Sequence, residues 1–153
     1  MLHKAMTLAL EAYGGQVDRG GHPYILHPFY LSHKFSNTTI KIISILHDVV
    51  EDTYVTLDVL DKMGFDKDVI QAIDNLTKRK GELYESYMDR VSRNATSLLV
   101  KIEDMIHNSD PTRIDNPTEK HKTMIEKCET WLPILRTRLS ENFPYSTEDD
   151  AFV

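Results

Sequence analysis

The stretch IKIISILHDVVEDT, residues 40–53, sets a histidine and an aspartate side by side inside an aliphatic run and follows them, four residues on, with a second acidic pair. Ile40, Ile42, Ile43, Ile45, Leu46, Val49 and Val50 surround a helix rather than striping one face of it. That pattern predicts a central helix from residue 38 or 39 to about 50, buried on most sides. His47 and Asp48 then lie where charge is expensive, because an isolated buried carboxylate takes up a proton unless a cation or several donors compensate it. A metal ion supplies that compensation directly. Glu51 falls one helical turn beyond His47 and Asp52 one turn beyond Asp48, so the second acidic pair projects from the same end of the helix.

Outward from this segment the periodicity stays helical. Leu2, Met6, Ala9, Leu10 and Tyr13 make one stripe of a first helix that ends at Gly14-Gly15. GGQVDRGGHPYILHP is a loop, punctuated by four glycines and two prolines; no Gly-Lys-Ser/Thr follows, so it is a turn rather than a phosphate-binding loop. A second helix is expected over residues 28–35. TLDVLDKMGF predicts a short helix with Thr56 as N-cap and Gly64 as its stop, and DKDVIQAIDNLT another. LYESYMDRVSRN, TSLLVKIEDMIHN and TEKHKTMIEKCETWLPILRTRL complete the set, and no segment alternates like a strand. An all-α fold follows.

Composition bounds the function. A chain of 153 residues with 41% hydrophobic residues suits one compact domain with one core. Of the formal charge of −6, four acids lie in residues 141–153, an expected flexible, solvated tail; the preceding 140 residues hold 18 bases against 20 acids. No basic face of the kind a nucleic-acid binder carries is expected. The single Cys128 excludes an internal disulfide, and no apolar run of transmembrane length occurs, so the chain reads as soluble and cytoplasmic, with no membrane partner. Nothing in the pattern fixes an oligomeric state.

A second apolar segment repeats the oddity of the first. In LLVKIEDMIHNS, Leu98, Leu99, Val100, Ile102, Met105 and Ile106 frame Lys101, Asp104, His107 and Asn108, with Asp104 and Asn108 on one face. His27, in PYILHP, precedes a proline that favours the start of a helix. His27, His47, Asp48 and Asp104 together offer two imidazoles and two carboxylates. A set without thiolate suits one divalent ion, Mn²⁺, Fe²⁺ or Zn²⁺, with positions open to water and substrate. His107 is an alternative ligand, Lys101 could meet either a phosphate or a ligand carboxylate, and His3, His33 and His121 are assigned no role. Cys128 and Trp131 read as packing residues of the last helix.

The ordered set GQVDRGGHPYILHP, LHDVVEDT, GF…LTK and VKIEDMIHN resembles the HD-domain phosphohydrolases, and specifically the small branch similar to the hydrolase domain of the RelA/SpoT (p)ppGpp enzymes of the stringent response. The resemblance spans about residues 2–113. It implies a helical HD domain, here over residues 1–140, with His27, His47, Asp48 and Asp104 holding one metal ion, usually Mn²⁺. It places Glu51 and Asp52 on the catalytic acidic pair and Asn108 beside the nucleotide sugar and the attacked phosphate. The implied reaction is removal of the 3′-pyrophosphate of (p)ppGpp by a metal-activated water. Arg19, Lys78, Lys101 and Arg113 are the cations available to the nucleotide substrate. With no room in 153 residues for a synthetase domain, the expected activity is hydrolytic only.

Three positions depart from the family pattern. Asp18 stands where the loop often has a basic residue, Tyr13 where many relatives have histidine, and Glu103 where alanine is usual; none removes a ligand. Phosphatase action on NADPH, hydrolysis of dNTPs and a non-catalytic nucleotide-binding module are the alternatives, since a metal core alone does not choose a substrate. Retention of Glu51, Asp52 and Asn108 beside all four ligands favours the enzyme, because a pure sensor needs no positioned base.

Overall fold

The computed structural model describes residues 1–114 and 117–144; among these the chain forms nine α-helices and one 3-10 turn, with no strand beyond an isolated bridge between Val17 and Pro23. The helices are α1 (Leu2–Ala12), α2 (Leu26–His33), α3 (Thr38–Leu46), α4 (Val49–Asp52), α5 (Leu57–Lys62), α6 (Lys67–Leu76), α7 (Tyr84–Val91), α8 (Ala95–Asn108) and α9 (Glu119–Asn142), with the 3-10 turn at Pro111–Arg113. No helix among the described residues is long and apolar enough to cross a membrane.

α3 is the centre, packed against α1, α2, α6 and α8. Asn37 starts it by accepting hydrogen bonds from the backbone N–H groups of Thr39 (2.9 Å) and Ile40 (3.2 Å), a cap contributing about 1 kcal/mol. Ile43, Ile45 and Leu46 are fully buried, and each such aliphatic side chain stabilises the fold by ~1.5–3 kcal/mol relative to exposure. α8 is the second buried helix. Asn94 caps it at Ser97 N–H (3.0 Å), and Leu98, Leu99, Val100, Ile102 and Met105 bury its inner face. Thr56 caps α5 through Val59 N–H (3.3 Å), and Gly64, at φ +79°, ends the turn that follows.

Helix boundaries differ from expectation in α2, which spans Leu26–His33 rather than 28–35, and more informatively in α3. α2 begins at Leu26, because Pro28 fits in its first turn, where a missing N–H costs nothing. The predicted helix to residue 50 is broken at His47 and Asp48 into α3 and α4. His47 Nδ1 lies 2.8 Å from the carbonyl oxygen of Ser44, the acceptor that an unbroken helix would pair with the N–H of Asp48. A side chain inserted into the i→i−4 ladder is a recognised cause of such a break.

The last helix runs through Asn142, two residues past the expected boundary at 140, and most of the acidic tail lies outside the described residues. Its N-terminus is a capping box in which Thr118 pairs with His121, which gives that histidine a structural role. The glycine-rich loop is held by Asp18, whose Oδ1 accepts from the N–H groups of Gly20 (2.9 Å) and His22 (3.0 Å). A Cβ on Gly20 would stand 2.6 Å from the carbonyl oxygen of Arg113, so glycine is what lets the loop reach the 3-10 turn.

Candidate active site

His27 near the start of α2, His47 at the break after α3 and Asp104 on α8 are all buried and converge. Each offers a ligand atom within 4.8 Å of the others. His27 Nε2 lies 3.1 Å and His47 Nε2 3.7 Å from Asp104 Oδ1, and His47 Nε2 lies 2.9 Å from Asp48 Oδ2. Neither Nε2 makes a hydrogen bond of acceptable geometry, so two buried imidazole nitrogens face the same carboxylates without satisfaction.

The opposite ring nitrogens are committed. A carbonyl oxygen can only accept, so His47 Nδ1 must carry the proton it shares with Ser44, and in the neutral ring the Nε2 lone pair points inward. His27 Nδ1 meets His107 Nδ1 at 2.6 Å. Inward lone pairs, outer nitrogens tied down and a carboxylate between them fit a divalent cation. Asp48 stands at the edge of this trio, its Oδ2 also accepting from the Tyr24 hydroxyl at 2.5 Å. Lys101, for which the sequence allows two partners, donates to Asp104 Oδ2 at 2.7 Å, and Asn108 donates to Asp104 Oδ1 at 2.6 Å. His107 lies behind His27 rather than in the trio.

Electrostatics point the same way. Burial works against a charged His47, yet the carboxylates of Asp48 and Asp104 outweigh it and push the ring up to about 10. Burial alone would raise Asp104; the Lys101 ammonium and the two histidines hold it well below the usual carboxylate range. The site demands positive charge. Next to it, Asp52 is raised to about 6 by burial and by the neighbouring Asp48 and Glu51. Burial also raises Glu51, although its Oε2 accepts the backbone N–H of Lys78 at 2.7 Å. Burial, Arg113 and His27 lower His107 to about 4.

Two cavities meet over this centre. The larger, about 410 Å³, is lined by Gln16, Asp18, Tyr24, His27, Arg113 and Ile114 among others. The smaller, about 270 Å³, takes in Glu51, Lys78, Tyr84, Tyr87, Lys101 and Lys127. Asp48, Asp52, Asn108, Arg19 and Met124 line both, and the Arg19 guanidinium reaches from the loop to the Met124 sulfur on α9. Of the expected cations, Lys78 and Lys101 reach the smaller cavity, Arg113 the larger and Arg19 both. Arg113 is partly spent on structure, donating to Asp18 Oδ2 (3.0 Å), the carbonyl of His107 (3.1 Å) and Asn108 Oδ1 (3.3 Å).

Sequence reasoning missed the contribution of α9. Met124, Lys127 and Cys128, at i, i+3 and i+4, share one helical face, and that face closes the site. The spacing was visible but what the face covers was not. Tyr24, which holds Asp48, was likewise unassigned.

No family model matches the chain. It is 26% identical over 165 residues to a probable GTP pyrophosphokinase of Mycobacterium leprae, covering 99% of this chain and 21% of that protein. It is 27% identical over 149 residues to the guanosine-3′,5′-bis(diphosphate) 3′-pyrophosphohydrolase of Borreliella burgdorferi, covering 87% and 22%. The enzyme of the same name from Aquifex aeolicus is 26% identical, with coverage of 99% and 23%. The chain thus spans about a fifth of the length of these curated relatives. A solved structure, described as a metazoan ortholog of SpoT that hydrolyzes ppGpp, superposes with a TM-score of 0.72 at 18% identity, covering 94% of this chain and 93% of that one. The chain shares the fold of that solved structure. In this fold, the trio of His27, His47 and Asp104 sits where α2, α3 and α8 meet.

Proposed function

We propose that the chain is a divalent-metal-dependent phosphohydrolase that removes the 3′-pyrophosphate from (p)ppGpp, with His27, His47, Asp48 and Asp104 holding one ion. The observation that carries this reading is the pair of unsatisfied Nε2 atoms beside Asp104 at the junction of two cavities, with a carboxylate pair alongside. The names of the Borreliella and Aquifex relatives support the choice of substrate. The mixed nitrogen and oxygen donors admit Mn²⁺, Fe²⁺ or Zn²⁺, and the family resemblance favours Mn²⁺. A free, buried Cys128 is compatible with a reducing cytoplasm.

A divalent ion bound there would lower the pKa of water and polarise a phosphoryl oxygen. The chain's own residues would do the rest. Glu51, fixed by the Lys78 N–H, and Asp52 are placed to take the proton from the attacking water as its oxygen bonds to phosphorus. The bond from phosphorus to the ribose 3′-oxygen breaks, and that oxygen regains a proton, leaving GDP or GTP and pyrophosphate. Arg19, Lys78, Lys101 and Lys127 line the smaller cavity and would offset the charge of the diphosphates. Asn108 and Arg113 brace Asp104 and the loop while lining the nucleotide's path. Tyr24 restrains Asp48.

The test is a product screen of the Mn²⁺-loaded protein against ppGpp, pppGpp, NADPH, NTPs and dNTPs. Pyrophosphate from ppGpp and pppGpp alone is expected. Phosphate from NADPH, or triphosphate from dNTPs, with none from ppGpp, would replace this substrate assignment.

A further inference from the structure

Behind His27, on the side away from the trio, stands a second histidine. The His27 and His107 rings are within 4° of parallel with centroids 4.9 Å apart, while their Nδ1 atoms are 2.6 Å apart. The centroid separation exceeds the nitrogen separation by about one ring width, so the imidazoles meet edge to edge in a common plane and share one proton. On the face of His107, Tyr30 stacks at 4.0 Å and 16°, and the Lys34 ammonium lies 4.7 Å from the Tyr30 ring centre. Tyr30 follows His27 by three residues on α2, so one helix supplies both the inner histidine and the plate that fixes the outer one.

The direction of that one hydrogen bond decides what His27 can do. If His107 donated, a neutral His27 would carry its proton on Nε2 and have no lone pair to offer inward. Asp104 leaves little use for such a proton. Its Oδ2 already accepts from Lys101 and its Oδ1 from Asn108, and His27 Nε2 makes no acceptable hydrogen bond to it. The other direction has Nδ1–H of His27 donating outward to His107 and leaves the Nε2 lone pair facing the trio, where a bound cation would take it.

We propose that His107 is the positioning partner of His27, accepting its Nδ1 proton and holding its ring plane so that Nε2 serves as a ligand, and that His107 thereby sets the metal affinity of the centre. This rests on the metal centre proposed above. Loss of an outer hydrogen-bond partner of a ligating histidine typically weakens metal affinity by ~10–100-fold.

Two variants separate positioning from packing. His107→Phe keeps a flat ring against Tyr30 and removes the acceptor; His107→Gln restores an acceptor oxygen. Mn²⁺ affinity is measured by paramagnetic resonance of free Mn²⁺ during titration, alongside the melting temperature without added metal and the imidazole ¹⁵N shifts that report the His27 tautomer. The expected result is a ~10–100-fold affinity loss in His107→Phe, mostly recovered in His107→Gln, with His27 losing its Nδ1–H preference only in the former. Wild-type affinity in His107→Phe would overturn the inference, and so would equal losses in both variants that track equal falls in melting temperature. Wild-type protein that takes up no Mn²⁺ would overturn the metal centre itself, a different result from either.

Discussion

Glu51 Oε2 accepts the backbone N–H of Lys78 at 2.7 Å, tying the acidic pair at the end of α4 to the segment that follows α6. That segment is itself clamped. Buried Arg90 donates to the carbonyls of Asp74 (2.5 Å), Asn75 (3.2 Å) and Thr77 (2.9 Å) and to Glu82 (2.6 Å), so Lys78 is presented to Glu51 by a rigid turn. A glutamine at position 51 keeps an oxygen for the Lys78 N–H but has no basic carboxylate. Glu51→Gln should therefore retain metal content and melting temperature while turnover falls by ~10²–10⁴, the usual contribution of a general base. Equal turnover, measured with metal content on the same samples, would remove Glu51 from the mechanism.

The trio predicts a coupled loss of metal and stability. His47→Ala and Asp104→Ala each delete one converging ligand atom, and a ligand that binds only the folded state adds stability in proportion to its affinity and concentration. Added Mn²⁺ should raise the melting temperature of the wild type and leave these variants unmoved. Calorimetry in the presence and absence of Mn²⁺ reads this directly; an undiminished rise in either variant would remove that residue from the ligand set.

Asp52 predicts an acid limb. Burial, with Asp48 and Glu51 nearby, raises its carboxyl to about 6, so it is protonated below that pH and charged above it. A cation bound beside it favours the charged form and moves the limb to lower pH, not higher. Turnover at saturating substrate and Mn²⁺ should thus rise with pH through a midpoint at or below about 6 and then level. The stability linkage has the opposite sense. A raised folded-state pKa contributes stability at low pH that is lost as pH rises through about 6. A midpoint for turnover above neutrality would contradict the role given to Asp52.

The loop and the 3-10 turn should act as one unit. Arg113 and Asp18 pair at 3.0 Å across 95 residues of sequence, and the backbone of Gly20 nests against the carbonyl of Arg113. Arg113→Ala removes the pair, and Gly20→Ala forces the two segments apart. Hydrogen bonds involving charged groups contribute ~1.5–3 kcal/mol, so KM should rise by about tenfold or more in both, with a smaller change in kcat. Steady-state kinetics with unchanged KM in both would show that the larger cavity does not hold substrate.

The sequence carried the helical architecture because most elements announce themselves locally: Thr56 and Gly64 bracket α5, and the aliphatic shells of α3 and α8 reveal their burial. It also carried the residues that converge as the trio, since charge inside an apolar helix is conspicuous. The break at His47 and Asp48 was not legible, because it arises from a side chain competing for the Ser44 carbonyl within a segment whose composition is uniformly helical. Contacts set by tertiary packing were equally hidden. The Asp18–Arg113 pair, the edge-to-edge histidines and the cover that α9 lends through Met124 and Lys127 join positions 80 or more residues apart, or faces whose partners no local pattern names.

Hydrolysis of ppGpp in ¹⁸O-labelled water by the Mn²⁺-loaded protein tests the central claim most directly. Attack of water on phosphorus at this centre predicts GDP and pyrophosphate as the only products, with one ¹⁸O in the pyrophosphate and none in GDP, and loss of the reaction in Glu51→Gln. Label appearing in the ribose 3′-hydroxyl, or the absence of pyrophosphate from a protein shown to hold Mn²⁺, would contradict it.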